Sequence, residues 1–420
     1  MNTKTLLLAG SMLLSLAACQ RDAPPAPAVA SASGDYQVQV WPLPAEAGAM
    51  APDLSIAPDG RLLLSWINKQ QGRRNALQFA TYTLAGGWQS QPRTVAVGEA
   101  LVANWADTPH MLGTADGALW VQWLQATAGG PGAYDTVLAR SRDGGMNWSQ
   151  LTRVNDDEGA AEHGFAAMWA DGADALGIAW LDGRAQTASH AKADHDGAGM
   201  MQLRANRFDL DLARGTDALV DASACDCCQV DVAVASSGPV LAYRDRTEAE
   251  IRDIAVVRLQ GGTWSEPRIV HADGWKIPGC PVNGPAIAAR QAGVVVGWYT
   301  EGSGQPAVQL ARSNDGGAKF GAPIVVEQGA AVLGRVDVAL DAQQAWVSWL
   351  REVDGAQSLM LARYTPDLSR QLQRIEVAKL QARGRASGMP KLVVEASGAW
   401  LVWTDVVGGV PQLRGAQIAR

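Results

Sequence analysis

The sequence predicts an all-β protein, a β-propeller, and three observations carry that reading. Seven aromatic residues each end an apolar, strand-like run: Trp66, Trp123, Trp180, Tyr243, Trp298, Trp349 and Trp403. The steps between them are 57, 57, 63, 55, 51 and 54 residues, and a nearly fixed period marks one supersecondary unit copied along the chain. The runs alternate apolar and polar residues and are broken by Asp-Gly or Gly-Gly, which is hairpin chemistry. Composition agrees: 45 Gly and 16 Trp in 420 residues, with 18% charged, suit many short strands packed on large flat side chains. A four-stranded blade needs roughly 40–50 residues, so the longer steps leave room for loops on one face. Seven blades is the expected count, with a six-bladed ring containing one irregular module as the alternative.

The chain starts Met1-Asn2-Thr3-Lys4, followed by an apolar run from Leu6 to Ala18 and then Cys19. A cation followed by a short apolar stretch and small residues reads as a secretion signal over residues 1–18, too short to span a bilayer. An uncleaved anchor helix is the alternative. Leu16-Ala17-Ala18-Cys19 resembles the bacterial lipobox, which implies that Cys19 is lipidated and becomes the first mature residue. Several acyl chains tether a protein stably to a membrane where one does not. Gln20 in place of Asp implies, by the same resemblance, sorting to the outer membrane of the cell envelope. Residues 19–34, with Pro24, Pro25, Pro27 and a run of Ala and Ser, read as the lipidated Cys and a flexible linker. A net charge of −7 and the lack of a basic stripe argue against nucleic acid as a partner.

The propeller is expected over residues 35–420. In the first module Ala51 to Ile56 is a short strand, turned by Pro58-Asp59-Gly60-Arg61 into Leu62 to Trp66. Leu77 to Tyr82 follows, and Gly86-Gly87-Trp88 begins the return. The second module repeats the plan with Asp116-Gly117 before Val121-Gln122-Trp123, then Val137 to Arg140. The last module, from Met389-Pro390 to Arg420, has room for only three strands. Tyr36 to Trp41 is an orphan strand; pairing it with the last module closes the ring and removes two exposed edges.

Two turns carry a signature. Ser141-Arg142-Asp143-Gly144-Gly145-Met146-Asn147-Trp148 fits the pattern Ser-x-Asp-x-Gly-x-x-Trp, and Ser313-Asn314-Asp315-Gly316-Gly317-Ala318-Lys319-Phe320 fits it with Phe at the end. Asp bonds the backbone of its own turn, Gly permits positive φ, and the aromatic packs between strands. On these residues the chain resembles the sialidase-like superfamily of propellers with Asp-box (BNR) repeats. In that family the boxes lie away from the active site, so the resemblance implies a fold and gives these turns no catalytic role.

In an up-and-down blade, starts of first strands and ends of second strands share one face. Residues 14–18 before each key aromatic, and those just after it, therefore belong at the channel mouth, where loops on a rigid scaffold build sites. Cys225, Cys227, Cys228 and Cys280 fall at that phase. An even number of mature cysteines in an exported protein reads as disulfides, in any of three connectivities. A soft-metal site for zinc or copper, with His163 or Met50 nearby, is the other reading.

Asp107, Asp182-Gly183-Arg184, Arg244-Asp245-Arg246, Arg335, Asp337 and Arg351 share the phase. Arg184, Arg244, Arg246 and Arg335 would offer planar forks to a carboxylate, sulfate or phosphate, on a glycan or a small ligand. Structural ion pairs lining the channel are the competing reading. A loop with His190, Asp194, His195 and Asp196 leaves the same face.

The sialidase resemblance implies three arginines on a carboxylate, a tyrosine nucleophile paired with a glutamate, and an aspartate acid/base. The chain departs from that set: no Arg-Ile-Pro-like segment precedes the first box, Arg61 sits in a turn on the opposite face, and Tyr299 has only Glu301 close in sequence. Three functions follow: a tethered ligand-binding propeller, a divergent exo-α-sialidase-type hydrolase, or an envelope scaffold stapled by disulfides.

Overall fold

The computed structural model describes residues 35–420 apart from positions 71, 73, 90, 131, 174 and 187–199. The expected signal, Cys19, the linker and the loop with His190, Asp194, His195 and Asp196 lie outside the described residues. Seven antiparallel sheets follow one another along the chain: 49–98, 110–153, 163–224, 231–269, 286–328, 332–380 and 391–419, numbered here as blades 1 to 7. The expected seven-bladed propeller is the fold, and six blades is excluded. Helical structure is confined to short 3-10 turns such as Gly384–Ser387 among the described residues, where no helix is long and apolar enough to cross a membrane.

The period of the sequence has a packing cause. Trp66, Trp123, Trp180, Tyr243, Trp298, Trp349 and Trp403 all lie on second strands and are at most 5% exposed. Seven apolar clusters fill the seven junctions between neighbouring blades. Leu63, Leu77 and Phe79 of blade 1, for instance, meet Met111, Val121 and Trp123 of blade 2. A blade has two apolar faces and buries both only when a neighbour stands on each side, so the ring must close.

Gln37–Val40 closes it by pairing antiparallel with Ala416–Ala419 at the edge of blade 7. Its two flanking aromatics reach opposite ways. Tyr36 meets Trp346 of blade 6 edge-on, with centroids 5.2 Å apart, and Trp41 stacks on Trp88 of blade 1 at 5.1 Å. One short strand thus ties three blades.

The register puts the Asp-Gly turns and the mouth on opposite rims. Ser141 ends a third strand opposite Leu119, the start of a second strand, while Asp182, the end of a second strand, lies opposite His163. In the first turn Gly145 N and Ser141 Oγ are 2.8 Å apart, and Asp143 Oδ1 accepts from the N–H groups of Met146 and Asn147 at 3.0 and 2.9 Å. These bonds hold the exposed Asp143 carboxyl down at about 2. Gly145 is required twice over: its φ is +84°, and an added Cβ would sit 2.1 Å from Phe79 of blade 1.

At the mouth, the first strands of blades 1, 3 and 6 carry a register shift, with Ala51, Phe165 and Arg335 at φ of 53°, 51° and 53°. Bulges of this kind re-aim side chains at a rim, and the strain of non-glycine residues at positive φ gathers at sites.

Candidate functional site

First strands of all seven blades line a cavity of about 310 Å³ on the ring axis. Four aspartates in its wall repeat one contact. Asp53 accepts from Met111 N of the next blade at 2.9 Å, Asp107 from Phe165 N at 2.7 Å, Asp231 from Ile287 N at 2.8 Å, and Asp337 from Leu392 N at 2.7 Å. Asp107 and Asp337, expected as ligand-facing groups, thus clamp one blade to the next. Burial raises both carboxyls to about 7. Burial also raises Asp231, whereas for Asp53 burial is overcome by His110, with Nδ1 at 3.0 Å, together with Lys391 and the Met111 N–H, and its pKa is lowered. Lys391 of blade 7 lines the same cavity and opposes the rise at Asp231 and Asp337.

The segment between blades 1 and 2 lies across the mouth. Ala106 O accepts from Gln229 Nε2 ahead of blade 4 at 3.0 Å, and the Trp105 ring lies 4.8 Å from the Arg335 guanidinium of blade 6. One loop therefore touches both sides of the ring and roofs the channel.

The expected arginines reach this rim already paired. Arg184 forks onto Asp182, with Nε and Nη2 each 2.8 Å from a carboxylate oxygen. Its pKa is raised, because Asp182 and Asp156 overcome the desolvation that acts against its charge. Arg244 is 1% exposed and donates to the carbonyls of Asn283, Arg252 and Tyr299; burial lowers its pKa to about 9. Arg246 binds Glu250 at 2.6 Å. Arg335 donates to Ser387 Oγ and to the carbonyls of Gly388 and Gly384 at 2.9 and 2.6 Å, and burial lowers it to about 10. Asp245 is raised to about 6, chiefly by burial. Arg351 is 3.4 Å from Glu327. Arg244 and Arg246 are neighbours across Arg252; Arg184 belongs to a separate acidic nest. No single cradle unites them.

That nest also takes His163. The ring is fully buried, with Nε2 3.1 Å from Asp157 and 3.7 Å from Asp182, and Nδ1 3.1 Å from Tyr134 O. His163, expected beside the cysteines, turns to carboxylates instead. Arg184 shares Asp157 and Asp182 with it, which leaves a metal there competing with a guanidinium.

The cysteines meet as expected from phase. Cys225 bridges Cys228, and Cys227 bridges Cys280, joining the segments that lead into blades 4 and 5. Cys225 N donates to Arg244 O at 2.9 Å, so the loop sits beside the end of the second strand of blade 4. Asp226, within the loop, lies 3.4 and 3.3 Å from Arg246 and Arg252. Next to Cys280, residues Pro281, Val282 and Asn283 form one wall of an open pocket completed by Trp105, Arg335, Glu352 and Arg383.

Tyr299 does find its glutamate: its hydroxyl donates to Glu301 at 2.6 Å. Burial, with Glu301 beside it, raises the phenol's pKa, so the group is held neutral.

Sequence reasoning passed over Asp53 and Asp231, although they lie 13 and 12 residues before Trp66 and Tyr243 and so at the clamp phase. It missed Arg252, nine residues after Tyr243, and Trp105 and Arg383, because nothing local shows that their segments meet across a ring.

No protein-family model matches the chain, and no curated protein matches it in sequence. Solved structures do resemble it. The polysaccharide lyase Uly1 superposes with a TM-score of 0.52 at 8% identity, covering 88% of this chain and 90% of that one. A protein of unknown function from Dyadobacter fermentans gives 0.50 at 13%, covering 89% and 95%. A variant of the NanB sialidase from Streptococcus pneumoniae gives 0.47 at 9%, covering 86% and 83%. At such identities what is shared is the fold alone.

Proposed function

We propose that this chain is an exported, lipid-tethered sialidase-like propeller that binds an anionic ligand, a glycan or a small anion, on the channel-mouth rim without cleaving glycosides. The observation that supports it most is the open pocket beside Cys280. Arg383 there is 60% exposed and, among the described residues, is held by Glu352. An exposed pair of this kind is worth little, so a ligand carboxylate or sulfate can take Glu352's place. Trp105 adds a half-buried aromatic edge for a sugar face. Leu16-Ala17-Ala18-Cys19 and the spacer after it support the tether.

Titration calorimetry with sulfated and uronate oligosaccharides tests the pocket: binding should weaken in Arg383→Ala and Trp105→Ala and fall with salt. Binding indifferent to both substitutions overturns the reading. For the tether, acyl label is expected on the full chain and lost in Cys19→Ala.

One observation favours a second reading, an exo-α-sialidase-type hydrolase: the Tyr299–Glu301 pair. Against it, the nearest arginine, Arg244, donates to backbone carbonyls. Release of fluorophore from a sialoside by the wild type, abolished in Tyr299→Phe, would establish that reading over the first.

A further inference from the structure

We infer that Cys225, Cys227, Cys228 and Cys280, once reduced, form a single site for a thiolate-seeking cation, zinc(II) or copper(I), on the rim where blade 4 meets blade 5. This goes beyond the anion pocket and does not depend on it.

Convergence is the first ground. The sulfurs of Cys225, Cys227 and Cys228 all lie within 4.8 Å of one another. Cys225 Sγ and Cys227 Sγ are 4.0 Å apart although they belong to different bridges. Cys280 joins through its bond to Cys227. Two staples placed only for stability have no need to touch. Four thiolates around one ion do: metal–sulfur bonds of about 2.3 Å in a tetrahedron put sulfurs roughly 3.8 Å apart.

Charge is the second. Arg252, with its side chain 4% exposed, directs Nη1 to Cys225 Sγ at 3.4 Å. A guanidinium gains little from a neutral disulfide, but it stabilises a thiolate and offsets the negative charge of a metal–thiolate centre. Glu250 and Asp226 hold Arg252 in that orientation.

The third is preorganisation. Gly284 N donates to Gln229 Oε1 at 3.0 Å, and a Cβ on Gly284 would sit 2.2 Å from Gln229 O. The two cysteine segments are therefore pressed together by contacts other than the bridges. Access is graded: Cys225 and Cys228 are buried, Cys227 is half-buried and Cys280 is exposed, so reductant and ion enter by the outer bridge.

The chemistry balances. Each disulfide takes two electrons and two protons from an external dithiol of the thioredoxin class, which leaves as its own disulfide. Binding then releases thiol protons to water, and the ion keeps its oxidation state.

The test uses the full-length protein, reduced under argon and desalted. It is titrated with zinc(II) alone and, separately, with copper(I) alone, each against a chromophoric chelator, with circular dichroism reporting the fold. One equivalent is expected to bind, with at least about 100-fold weaker binding in Cys227→Ser and Cys280→Ser and roughly 10-fold weaker in Arg252→Gln. The arm that outcompetes its chelator names the ion. A folded, reduced chain that takes up neither ion overturns the inference. So does uptake that survives in both cysteine variants, or a reduced chain that unfolds and regains no structure with either ion.

Discussion

Around the hub, aspartates from blades 1, 4 and 6, with Asp107 just ahead of blade 2, make the same contact with the backbone of the next blade. On the rim above blades 4 to 6, by contrast, Arg252, Trp105 and Arg383 have no counterpart of the same type at equivalent positions of other blades, and Cys225 and Cys280, each 18 residues before its key aromatic, share a position that carries cysteine in blades 4 and 5 alone. Both sets are largely polar and both lie at the mouth of the ring. What separates them is repetition. A contact that recurs at four of the seven junctions answers a demand of the ring itself, namely an N–H of the neighbouring first strand that faces the channel and needs an acceptor. Residues present once answer to something that is not part of the ring.

The largest expected effect bears on the repeated side. Trp66→Ala, a cavity at a blade junction, should cost about 3–5 kcal/mol in urea unfolding, whereas Trp105→Ala on the rim should cost far less. Comparable losses would make the Trp105 roof part of the core.

A pH series sharpens the hub next. Asp107 and Asp337 have native pKa values near 7 against 3.8 for an ordinary carboxyl. The folded state therefore keeps protons that the unfolded chain releases, and stability falls as pH climbs from about 4 to 7. The upper bound is about 4 kcal/mol per group, at 1.36 kcal/mol per unit. Asp337→Asn keeps an acceptor for Leu392 N and removes the buried charge, so it should flatten the fall in thermal melts between those pH values. An unchanged slope would show that Lys391 already neutralises the wall.

Asp231→Ala, which strands the N–H of Ile287, should cost about 1–3 kcal/mol. Asp226→Ala on the rim loses two pairs to Arg246 and Arg252 and should cost under about 1 kcal/mol. Equal losses would erase the contrast. Smallest of all, Arg383→Ala should move stability by no more than about 0.5 kcal/mol while weakening anion binding.

Much of the ring was legible because its demands are local and periodic. Trp66 and its six counterparts recur because each second strand needs one flat side chain at a junction. The orphan strand at Gln37–Val40 had to pair somewhere, and blade 7 was one strand short. Phase also brought Cys227 to Cys280 across 53 residues. The arginines were harder. Arg244 and Arg335 are at the mouth as their spacing implies, yet their N–H groups meet carbonyls of Asn283, Tyr299, Gly384 and Gly388. A backbone carbonyl leaves no mark on sequence, so a spent guanidinium and a free one read the same.

By itself the sequence determined the propeller class, the closing strand and which rim each strand end occupies, since these follow from a two-residue strand period and a blade-length repeat that nothing distant has to adjust; that the blades number seven and not six was decided by the structure. Only the tertiary structure decided which polar groups remain available there. Hydrogen bonds between segments such as Trp105-Ala106 and Gln229 are set by where the ring carries each loop, and that position depends on all seven junctions at once.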